Sequence, residues 1–133
     1  MKKIMTIVVL SLALLLGFSV TASADDGSSF GASNIKIYVD VGVVDGAKNG
    51  KFYHLTPGNA SIYVDDVSNA TDITLRKGKF SPSNIATVHV TGPGWYNLPG
   101  VKKDASDYSL LIVAYGNGGT ASIHGSVHDH RAE

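Results

Sequence analysis

The run DYSLLIVAYGNGGTASIHGSVH, residues 107–128, decides the fold. Its second half alternates: Ala121, Ile123, Gly125 and Val127 share one parity, while Ser122, His124, Ser126 and His128 share the other. Successive side chains of an extended strand point to opposite faces, so this half reads as a strand with one dry face and one wet face. The first half, 107–116, is apolar on both parities, as a central strand covered on both faces requires. Gly116-Asn117-Gly118-Gly119 between the two reads as the turn of a β-hairpin.

Working outward, the same period recurs. NIKIYVDVGVV (34–44) reads as one strand with Ile35, Ile37, Val39, Val41 and Val43 on the core side. KFYHLT (51–56), ASIYVD (60–65), TDITLRKG (71–78) and NIATVHVTG (84–92) read as four more, and GWYNLP adds a short one. Between them stand D-G, N-G, P-G, K-G and G-P-G, turn signals at the spacing of a sandwich or barrel. No stretch after residue 25 holds a helical period. The predicted architecture is all-β: a single antiparallel β-sandwich of about seven or eight strands, Greek-key or jelly-roll-like, with a small β-barrel as the alternative.

The N-terminus has a different character. Lys2 and Lys3 precede an apolar run from Ile4 to Val20, and Ala22-Ser23-Ala24 supplies a small-residue cleavage site. Residues 1–24 therefore read as a secretory signal peptide, which places the protein outside the cell. DDGSSFGASN is small and polar, so 25–33 reads as a flexible arm, 34–128 as the sandwich domain and 129–133 as a polar tail. The chain has no cysteine, so packing and strand ladders alone must hold the domain. A short lysine-headed leader without cysteine points to a bacterial exported protein. Removing Lys2 and Lys3 with the leader leaves nine Lys+Arg against 11 Asp+Glu, a formal charge of −2. That balance argues against a nucleic-acid partner, whose phosphates demand clustered cations. After the leader, no apolar segment is long enough to span a bilayer as a helix.

Three groups of residues carry candidate chemistry. Trp95 and Tyr96 sit in the Gly/Pro-rich stretch VTGPGWYNLPGV (90–101): a lone Trp in a small domain reads first as a plug for the end of the sandwich, with Tyr96 pointing out, and otherwise as an exposed platform that would stack on sugar rings, with Tyr53 and His54 as neighbours. His128 and His130 lie two apart on one strand face and would present two imidazoles to zinc. Asp65, Asp66 and Asp72, with Asn69, crowd YVDDVSNATD (63–72), an oxygen-rich loop suited to calcium. A polar turn and a solvated strand face are the plainer readings of the last two groups, so no cofactor is the first expectation, with Ca or Zn as alternatives. The inventory for catalysis is sparse. There is no cysteine nucleophile and no G-x-S-x-G elbow, and the single glutamate is Glu133, which leaves no Glu-based glycosidase pair. Ser/His/Asp combinations exist in the composition, but none stands in a recognisable setting.

The functional expectation is a secreted, non-enzymatic binding module for carbohydrate, cell-wall material or another protein. An antimicrobial, toxin-like or inhibitory protein is the alternative. A small metal-dependent hydrolase using the histidines comes next, and an assembly subunit last. LLIVAY (110–115) would be hazardous on a sheet edge.

Overall fold

The computed structural model describes residues 28–129 and the backbone of 20–23. The expected signal peptide falls largely outside them, as do residues 24–27 and the expected tail from His130 onward. Nine strands follow in chain order after a short β1 (Val20–Ser23): β2 (Ser28–Lys36), β3 (Val41–Asp45), β4 (Lys51–Leu55), β5 (Gly58–Val67), β6 (Thr71–Lys77), β7 (Ser83–Val90), β8 (Gly94–Val101), β9 (Ala105–Tyr115) and β10 (Thr120–His128). Among the described residues there is no helix and no closed barrel. One sheet runs β1-β4-β9-β6-β7, with β3 also on β9; the other runs β2-β10-β5-β8. Apart from β1, which lies parallel to β4, every pairing is antiparallel.

The pairings β2·β10, β3 and β4·β9, β5·β8 and β6·β7 are those of one long hairpin rolled onto itself. Rolling adds β10·β5 and β6·β9, and the product is a jelly roll. β3 and β4 together form one edge of β9. Between them the chain leaves the ladder through Gly46–Gly50, where the Asp45 carboxylate accepts the Ala47 amide at 3.0 Å and Gly50 takes a φ of 72°.

The core lies between the sheets. Ala121, Ile123 and Val127 of β10 are buried, as the alternation requires, and meet Ala60, Ile62 and Val64 of β5 and Leu98 of β8. From the other sheet come Tyr53, Leu55, Ile73, Leu75, Tyr108, Leu110, Ile112 and Ala114. β9 is central, so LLIVAY lies on no edge. Asp129, next after β10, is buried; its two carboxylate oxygens accept the Thr56 amide at 2.8 Å and the Thr56 hydroxyl at 2.6 Å. That contact fixes the point where the chain crosses from β4 to β5.

Three sequence expectations are corrected. The Gly116–Gly119 turn closes no hairpin: β9 and β10 belong to different sheets, and the turn carries the chain across the sandwich with Gly118 and Gly119 at φ 80° and 78°. Residues 34–44 are not one strand. A bulge at Asn34 and a tight reversal at Tyr38–Val41 pass the chain from β2 to β3, which leaves Val39 at 82% exposure and Val43 at 56%. Residues 28–33 are not an arm. They pair along β10, and Phe30 is buried there, packed over Gly125, which has no side chain to oppose the ring.

Candidate functional site

The outer face of the four-stranded sheet is built by parity. On β8, Tyr96 and Leu98 turn inward, so Trp95 and Asn97 turn outward. On β5, Ile62 and Val64 are in the core, which puts Ser61 and Tyr63 outside. On β10 the outward set is His124, Ser126 and His128. The register sets Trp95 opposite Tyr63, Tyr63 opposite Ser126, and Ser61 between Asn97 and His128.

Three rings meet on this face. Trp95 packs edge-on against Tyr63 with centroids 5.2 Å apart, and against His128 at 4.9 Å with a 58° tilt. His128 lies two strands from Trp95, because β5 runs between β8 and β10. The indole therefore reaches across β5. Ser61, an outward residue only 1% exposed, lies in the strand that it crosses. The Ser126 hydroxyl holds His128 Nε2 at 2.8 Å, and the Ser61 hydroxyl donates to the Asn97 side-chain oxygen at 3.2 Å. The result is a half-buried aromatic shelf bordered by hydroxyl and amide groups.

Of the four residues expected at a binding platform, the structure places Trp95 here and the other three elsewhere. Tyr96 faces the core side and donates its hydroxyl to the Gly92 carbonyl at 2.7 Å. Tyr53 is core, and burial pushes its phenol above its ordinary pKa. His54 lies on the outer face of the opposite sheet, held by Ser106 at 2.6 Å and Asp104 at 2.8 Å. Trp95 is in a strand rather than a loop, because the glycines flanking it end β7 and begin β8. Tyr63 and His128 were missed as partners for Trp95. Their outward parity was readable; the pairing of β5 with both β8 and β10 was not.

The metal candidates do not converge. Asp66 meets His124 on the four-stranded sheet, Asp65 is the extra residue of a bulge in β5, and Asp72 is on the other sheet, 2.7 Å from both His89 and the Tyr115 hydroxyl. His128 belongs to the aromatic shelf, and His130 lies outside the described residues. Among the described residues, no three metal-ligating side chains come together.

No protein-family model matches the sequence, and no curated protein does. Among solved structures, the chain is similar to one described as the crystal structure of PirA, at 12% identity and a TM-score of 0.45, over 77% of this chain and 94% of that one. It is also similar to CsCBM6-3 from Clostridium stercorarium in complex with cellobiose, at 13% identity and a TM-score of 0.34, over 81% of this chain and 94% of that one. At these values the architecture rests on the strand register described above.

Proposed function

We infer that the protein is an extracellular binding module whose aromatic shelf stacks on the sugar rings of a polysaccharide. The carrying observation is the Tyr63–Trp95–His128 cluster, three rings from three adjacent strands on one open sheet face. Such a face offers a π surface to the apolar C–H side of a pyranose, while Asn97 and Ser126 supply hydrogen-bonding groups beside it. The leader-like N-terminus and the slightly acidic mature charge support an extracellular neutral ligand over nucleic acid.

Trp95 is the sole tryptophan, so its fluorescence reports the shelf directly. Titration with cello-, chito- and xylo-oligosaccharides, with retention on the matching insoluble polymers, is expected to shift the emission for one class of glycan. Trp95→Ala is expected to weaken that binding by about tenfold or more, equivalent to ~1.4 kcal/mol. Unchanged emission with every glycan, and equal retention of wild type and Trp95→Ala, would reject the reading.

A further inference from the structure

We propose that Ser33, His124 and Asp66 form a hydrolytic relay that cleaves carboxylic esters, a catalytic activity that goes beyond glycan binding. The Asp66 carboxylate meets His124 Nδ1 at 3.0 Å, and His124 Nε2 meets the Ser33 hydroxyl at 3.1 Å. A hydroxyl nucleophile, an imidazole base and a carboxylate that orients it, linked in this order, are the requirement for activating a serine, and they are recognised by geometry rather than by chain order.

The backbone is arranged around this contact. The three residues come from β2, β10 and β5, adjacent strands of one sheet. Between Ala32 and Ile35, β2 carries two residues, Ser33 and Asn34, opposite the single Ser122 of β10, and Asn34 takes a φ of 57°. On the other side of β10, β5 carries the extra residue Asp65 between the partners of His124 and Gly125. Bulges re-aim side chains, and here one lies on each side of His124. Opposite His124 stands Gly31, where a Cβ would come within 2.6 Å of the imidazole Cδ2. The absent side chain gives the ring its place across β2. The Asn34 bulge also starts the crossing to β3, but a plain ladder of solvated polar side chains needs neither the Asp65 bulge nor the glycine opposite His124.

Ser33 and His124 also border a cleft of ≈560 Å³ that opens between the β2 edge and the opposite sheet. Its other walls include Phe30, Ala32, Val44 and Ile112, which suit the apolar acyl part of an ester. Ser33 Oγ would attack the ester carbonyl carbon as its proton passes to His124 Nε2. Collapse of the adduct breaks the bond to the alcohol oxygen, which takes that proton. Water then attacks the acyl-Ser33 ester by the same route, so one ester and one water give one acid and one alcohol. Asp66 is a positioning residue that holds the imidazole with Nε2 toward Ser33.

The test uses the purified protein with p-nitrophenyl acetate as substrate and a fluorophosphonate as label. The expected result is turnover above buffer and a single label on Ser33 by peptide mass, both lost in Ser33→Ala. Ser33 is exposed, so that variant retains the fold. Asp66→Asn is expected to lower kcat by about a hundredfold with KM within about twofold. Hydrolysis that persists in Ser33→Ala, or an absence of label on Ser33, overturns the proposal. Neither readout involves a glycan, so failure here leaves the aromatic shelf untouched.

Discussion

At the residue scale, the outer face of the six-stranded sheet contains a polar knot with a defined pH signature. His89 Nδ1 and the Tyr115 hydroxyl both donate to the Asp72 carboxylate, each at 2.7 Å. Those two bonds, the His89 bond the larger, hold Asp72 below its ordinary carboxylate range; the same carboxylate raises the Tyr115 phenol. A depressed carboxylate stabilises the fold above its unfolded pKa, and the contribution is lost as pH falls through the folded value. Urea midpoints measured from pH 6 to pH 2 should therefore fall more steeply below about pH 4 for wild type than for Asp72→Asn. Parallel acid limbs would show that the two bonds add nothing to stability. In the sequence, Asp72 read as part of an oxygen-rich loop. Its actual partners come from β7 and β9, and nothing local to YVDDVSNATD names them.

At the scale of elements, alternation was a good guide to faces and a poor guide to where a strand changes sheet. Ala121, Ile123 and Val127 were legible as core because each neighbour of opposite parity is polar. On β7 the pattern is less clean: Ala86, Val88 and Val90 pack on the core, but so does Ile85 of the opposite parity. In NIKIYVDVGVV the period continues through the reversal without a break, so a crossing between sheets carries the signature of a single strand. Val39 shows the cost of that crossing. It is β-branched, 82% exposed and held at a φ of 61°, a region such residues avoid. Asn adopts this conformation more readily, and little buried area is at stake. Val39→Asn is expected to raise the unfolding free energy by about 1 kcal/mol in urea titration. A loss of stability would mean that Val39 makes contacts that outweigh its backbone strain. The aromatic shelf was half legible in the same sense: Trp95 was visible as the sole tryptophan, while its partners depend on which strands lie side by side.

For the whole molecule, the rolled hairpin has a property no single strand reveals. Every antiparallel ladder joins a strand from β2–β6 to one from β7–β10: β2 and β5 to β10, β3 and β4 to β9, β5 to β8, and β6 to β7 and β9. The tip of the hairpin is the 78–82 turn, where Phe80 is 97% exposed. Peptides 25–80 and 81–133 should each lack β signal in circular dichroism, and mixing them in equal amounts should restore it. A stable β spectrum from either peptide alone would show that one half holds a sheet by itself. The jelly-roll class was legible from strand count and turn spacing. The pairing order was not, because the contacts that set it are distant along the chain.

That division has a consequence during synthesis. The ribosome makes β2–β6 before any of their antiparallel partners exists, and β10, which joins β2 to β5, comes last of all. The first half of the growing polypeptide thus stays a loose thread until β7 appears, and the four-stranded sheet closes only when β10 arrives to bridge β2 and β5.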